Sequence, residues 1–200
     1  MPIVGQFGSL AGLGSLILPG GAMESIATVT VGSGGASSIE FTSIPGTYQH
    51  LQLRGVLRGT GTQGGGNYYN NYITFNGVTT GTSYAWHYLM GNGAAAEAYG
   101  VASTNVINSY FTTANALTSN FAAVVVDILD YASTSKATTL RQFNAFDNNN
   151  TGSSNYHKGF VTVASGLYTS TDAVTSIKMT PSFDSFAQHS QVALYGIKAP

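Results

Sequence analysis

Cysteine is absent from the 200 residues, and charge is nearly so: 7 Lys and Arg stand against 8 Asp and Glu, 8% of the chain. An average soluble domain carries about 25% charged residues. Without cysteine there is no disulfide framework, no zinc–thiolate centre and no thiol nucleophile. A net charge of −1 cannot supply the basic footprint that neutralises phosphates, which excludes nucleic acid as a partner. Low net charge combined with 43% hydrophobic residues also excludes charge-driven disorder.

The first cation in the chain is Arg54. The N-terminal segment therefore lacks the cationic flank of a secretory signal. Glycines at 5, 8, 12, 14, 20 and 21 break up its apolar run. It fits neither a signal core nor a membrane span, which needs about 20 mostly apolar residues. No membrane partner is expected. No fixed-period repeat is present, which argues against solenoids and propellers.

Neutral polar residues take the surface role: 21 Ser, 23 Thr and 14 Asn, with 25 Gly. Residues 1–22 form an apolar, Gly-rich arm. Within it Leu10, Leu13, Leu16 and Ile17 keep partial helical spacing, but each interior glycine costs about 1 kcal/mol relative to alanine. An uncharged apolar arm of this length invites aggregation if left bare; it either packs on its own domain or, as favoured here, docks on a partner through Phe7, Leu10, Leu13, Leu16, Ile17 and Leu18.

From Met23 onward the hydrophobic period is two. Strands are expected at Ser25–Val31, Ile39–Phe41, His50–Arg54, Tyr72–Phe75, Tyr84–Leu89, Phe121–Tyr131, Thr138–Phe146, Gly159–Leu167, Val174–Met179 and Ser190–Ile197. Leu51 and Leu53 should face one side, with His50, Gln52 and Arg54 on the other. Asn76-Gly77 is a strong hairpin signal, so Tyr72–Phe75 should return along Tyr84–Leu89. The continuous run FAAVVVDILDY reads as a strand buried on both faces. Ala94–Ala98 reads as one helical turn, and Thr60–Asn71 and Asp147–Asn155 as loops. About ten short strands with almost no helix predict an all-β fold: an antiparallel β-sandwich or jelly roll, one domain over residues 23–200.

Reactive constellations are missing. His50, His87, His157 and His189 have no ligand-like spacing, and no metal is expected. Asp147–Gly152 resembles the start of a calcium loop, but its twelfth position is Lys158 rather than an acid, so it reads as an Asn-rich turn. No Gly-x-Ser-x-Gly elbow occurs. Asp127 and Asp130, three apart in an extended run, should face opposite sides and cannot act as a glycosidase pair. No enzyme and no cofactor are expected. Tyr84, Trp86 and Tyr88 alternate along one strand face; they read either as core or oligomer contact, or as an aromatic strip for a glycan.

The stretch TVTVGSGGASSIEFTSIPGTYQHLQLRG (residues 28–55), with VTSIKMTP (174–181), Phe186-Ala187 and LYGIK (194–198), resembles a module of tailed-bacteriophage virion proteins, notably those of cyanobacterial viruses. The resemblance implies a non-enzymatic structural protein of the virion, assembled in the host cytoplasm. It implies a capsid decoration (cement) protein, a homotrimer that grips the major capsid protein through the arm. The alternative it implies is a tail-fibre or tail-accessory protein that binds host-surface glycans through Tyr84, Trp86 and Tyr88 or the Gly61–Asn71 loop. It supplies no catalytic residues.

Overall fold

In the computed structural model, residues 21–61, 68–112, 119–147 and 159–199 are described. The arm residues Phe7 to Leu18, His157 and the 148–158 turn lie outside them. Twelve strands follow in order: β1 (Met23–Thr30), β2 (Ile39–Phe41), β3 (His50–Leu57), β4 (Tyr68–Phe75), β5 (Tyr84–Gly91), β6 (Ala96–Thr104), β7 (Ile107–Thr112), β8 (Ala122–Leu129), β9 (Thr138–Asp147), β10 (Gly159–Tyr168), β11 (Ile177–Pro181) and β12 (Gln191–Ile197). All pairings are antiparallel. No helix among the described residues is long and apolar enough to cross a membrane.

The expected β-sandwich is present. One sheet has eight strands in the order β1-β12-β3-β8-β9-β10-β5-β6; the other has four, β2-β11-β4-β7. Eight of the strands form two matched sets of four, β1-β12-β3-β8 against β2-β11-β4-β7, and among them the chain crosses between sheets at each step except from β4 to β7, which are neighbours in the small sheet. The remaining four, β9-β10-β5-β6, extend the first set only.

The core follows from strand alternation. Leu51 and Leu53 of β3, Val124, Val126 and Ile128 of β8, and Val192 and Leu194 of β12 are buried between the sheets. They face Ile39, Ile73, Phe75, Ile107, Phe111, Ile177 and Met179 of the small sheet. Transfer from water at about 25 cal/mol per Å² makes this layer the main stabilising term.

Four expectations need correction. The Asn76-Gly77 turn forms with left-handed φ angles of 51° and 69°, closed by Val78 N–H donating to the Phe75 carbonyl at 2.9 Å. It does not make a hairpin: β4 belongs to the small sheet and β5 to the large one. A tight turn fixes chain reversal, but partner choice is set by burial, and Phe75 and Tyr84 meet across the core with ring centroids 6.3 Å apart. Residues 94–98 are not a helical turn. Asn92 Oδ1 accepts from the Ala94 and Ala95 N–H groups, and the strand β6 starts at Ala96. Strand β8 is buried on one face only. Tyr68–Asn71 belong to β4 rather than to a loop.

The large sheet curls round the β7 edge of the small one. Ile107 and Phe111 face the main core, so Tyr110 must point the other way. Yet Tyr110 packs edge-on against Tyr88 of β5 at 5.5 Å and Phe160 of β10 at 5.7 Å. Both faces of β7 are therefore covered by the same sheet. Gln142 from β9 covers the backbone, donating from Nε2 to the Asn108 carbonyl at 3.0 Å.

Burial also acts on the tyrosine hydroxyls. It pushes Tyr84 up to about 12, and raises Tyr131 and, with its hydrogen bond to Tyr88, Tyr110 above the ordinary value. A raised folded-state pKa contributes stability that is fully present below the unfolded value near 10 and is lost as pH rises through the folded value. The urea midpoint should thus be flat from about pH 7 to about 9 and fall steeply above about 10; a flat profile to about pH 11 would contradict these hydroxyls being buried in neutral form.

Candidate functional site

The expected face assignment of Tyr84, Trp86 and Tyr88 holds, and the structure decides what that face is. All three turn inward. Tyr84 is 0% exposed and Tyr88 is buried, so the three do not form an exposed glycan strip. Tyr84 stacks on Tyr168 at 5.0 Å and Trp86 on Tyr88 at 5.9 Å, nearly parallel at 9°. Only Trp86 stays half-buried, and it lines a cleft.

The titratable residues are scattered. His50 Nδ1 accepts from the Asp130 N–H at 3.0 Å, Asp130 pairs with Lys136 at 2.5 Å, and that ammonium holds the Asp130 carboxyl below its usual range. His87 meets Ser165 at 3.1 Å on the outer face. No group of three metal-ligating side chains occurs among the described residues. Asp127 lies on the outer face of β8, accepting from Gln52 Nε2 at 2.6 Å, and Asp130 sits beyond the strand in a left-handed turn. The two are not arranged as an acid–base pair.

Two other features stand out. The first is the outer face of the large sheet. Register places Val125, Phe143, Val163, Leu89 and Ala98 side by side in one row across β8 to β6. The adjacent row runs Ala123, Ala145 and Val161. Neither row carries a charge from β8 to β6. Leu89 is 59% exposed, Val163 56% and Phe143 48%. On these same strands the inward positions Gln142, Asn144 and Thr162 are buried. The usual pattern is inverted locally: Gln142, Asn144 and Thr162 point in among buried Leu140, Phe146, Phe160 and Ala164, while Phe143, Val161 and Val163 point out. A parallel polar row of Gln52, Asp127, Arg141, Ser165 and His87 borders this patch, and beside it lies a shallow groove of about 710 Å³.

The second feature is the cleft itself, about 420 Å³, between the curled β5–β6 end and the β4–β7 pair. Trp86, Thr104 and Asn105 form one wall, Asn70, Tyr72 and Asn108 the other. A β-bulge, one extra residue on β6 opposite the Tyr84–Trp86 step, re-aims the strand here; bulges gather next to binding sites.

Sequence reasoning missed both features. Val161 and Val163 alternate with Phe160 and Thr162, so the pattern gave no sign of which set faces out. The cleft walls use β6 and β7, which carry weak strand signals. Compared with known proteins, the chain matches no family model, no curated protein and no solved structure.

Proposed function

We propose that this protein is a non-enzymatic structural subunit that works by packing its surfaces against copies of itself and against a larger assembly. The inverted pattern on β9 and β10 carries the reading. An apolar, charge-free patch on the outer face of a sheet that already has a core on its other side marks a contact surface. Its occupant is a second copy of this chain. The charge-free patch crosses five strands, β8 to β6, about 24 Å at roughly 4.8 Å per strand, and Leu89, Val163 and Phe143 form its exposed centre. The absence of charge lets this patch pack on a neighbouring copy without like-charge contacts, and makes the contact insensitive to salt.

The alternating eight-strand order supports a jelly roll extended by two hairpins, an architecture used by viral capsid proteins and by lectins. Fold analogy alone does not assign function. Together with the sequence resemblance, it favours a capsid decoration protein in the virion: a homotrimer whose arm, through Phe7 to Leu18, holds the major capsid protein and stabilises the shell by binding only its assembled form.

Sedimentation of the full chain should give a mass of three times 20.8 kDa, and Val163→Asp should yield monomer. Because Val163 is exposed in the subunit, that change should cost less than about 1 kcal/mol of subunit stability. A monomeric wild-type chain, or a Val163→Asp variant of unchanged mass, overturns the proposal.

A further inference from the structure

We infer that the cleft between the β5–β6 end and the β4–β7 pair is a binding site for a neutral, hydroxyl-rich ligand, a sugar ring. The lining contains no Asp, Glu, Lys, Arg or His. An ionic ligand would find no counter-charge there, so the ligand is neutral. The lining residues Asn70, Asn105 and Asn108 each carry a carbonyl acceptor and an amide donor, and Tyr72 and Thr104 carry hydroxyls that do both. Neighbouring hydroxyls on a sugar also donate and accept, and adjacent amides match them. Trp86 supplies the apolar surface on which the C–H face of such a ring packs.

The cleft is a formed site rather than a loose gap. Trp86 Nε1, a donor, and Asn108 Oδ1, an acceptor, are buried without a protein partner, and Asn108 is 6% exposed. Both residues line this cleft. The walls are also held in place. Asn105 Nδ2 donates to the Thr79 carbonyl at 3.3 Å, Gln142 fixes the Asn108 backbone, and Tyr88 covers one indole face. The volume lies in the ordinary range for small-ligand sites, about 300–1,000 Å³.

The cleft lies on the inward side of β5 and the self-association face on its outward side. Failure of one reading leaves the other standing.

Trp86 is the single tryptophan of the chain, so its emission reports the cleft directly. The full chain is titrated with methyl α-D-glucoside, methyl β-D-galactoside and N-acetyl-D-glucosamine, with dextran as a polymeric source of the same ring and D-glucuronate as the charged control. Emission and calorimetry are both read. A saturable response to at least one neutral sugar and none to glucuronate is expected. A response to methyl α-D-glucoside but not dextran assigns the site to a free or terminal ring; a response to dextran extends it to a chain. The Asn70→Ala/Thr104→Ala variant, with an unchanged unfolding midpoint, should bind roughly tenfold or more weakly. Silence towards every neutral probe, equal binding of glucuronate, or wild-type affinity in the double variant overturns the assignment.

Discussion

Replacing Tyr84 with alanine should destabilise the protein by about 3–5 kcal/mol, and replacing it with phenylalanine by about 1–3 kcal/mol. Tyr84 joins the two sheets at the point where the chain crosses between them. Its ring is wholly buried between Phe75 and Tyr168. Its hydroxyl accepts from the Phe75 N–H at 2.9 Å and donates to the Val78 carbonyl at 3.0 Å. That single oxygen braces the Asn76-Gly77 turn from the opposite sheet. Phenylalanine keeps the packing but strands a buried N–H, so its cost is the desolvation of that group. Alanine also opens a cavity. For a chain of this size each kcal/mol shifts the midpoint by about 2–4 °C, so thermal unfolding separates the three proteins readily. Tyr84→Phe should also lose part of the decline above about pH 10, since the hydroxyl responsible is gone. A Tyr84→Phe protein within about 0.5 kcal/mol of wild type would mean that the turn stands without its clamp.

The second large effect lies where β7 meets the large sheet. A Cβ built at Gly166 would sit 2.8 Å from Ile107 Cγ2 and 3.0 Å from its Cδ1. Ile107 is 0% exposed and has nowhere to move. Glycine here allows close approach, not an unusual backbone angle. Gly166→Val should therefore cost about 1–3 kcal/mol through overpacking, and Ile107→Ala alone about 2–5 kcal/mol through a cavity. Combined, the two should recover about 0.5–3 kcal/mol relative to the sum of the single changes, because the valine fills part of the space the isoleucine leaves. Denaturant unfolding of all four proteins measures this. Strict additivity would sink the idea that Gly166 exists to seat Ile107.

Period two was legible wherever apolar and polar residues alternate against water. Leu51 and Leu53 were placed inward, and Gln52 and Arg54 outward, from sequence alone, and β3 folds that way. The strands missed are those for which alternation carries no information. Strand β6 is exposed along most of its length, and more than half of it is small residues, Ala96, Ala98, Gly100, Ala102 and Ser103. Strand β7 is buried on both sides, so Asn108 and Ser109 sit inside as Ile107 and Phe111 do. The candidate cleft sets Thr104, Asn105 and Asn108, on or between these two strands, against Asn70 and Tyr72 of β4, and for that reason the group could not be gathered from the chain. Trp86 alone was singled out, as one of three alternating aromatics, and the curl of the sheet then buried its two companions.

The sequence by itself determined that the chain folds into short antiparallel strands, that Asn76 and Gly77 reverse it with left-handed backbone, and that no thiol chemistry is available. These are consequences of local geometry and composition. Which strand pairs with which, which side of β9 and β10 meets solvent, and where the large sheet bends round β7 were decided by the tertiary structure. A strand with apolar residues on both faces satisfies its backbone equally well in either orientation. Only the fit of Ile107 over Gly166, and of Tyr110 against Tyr88 and Phe160, selects the one observed.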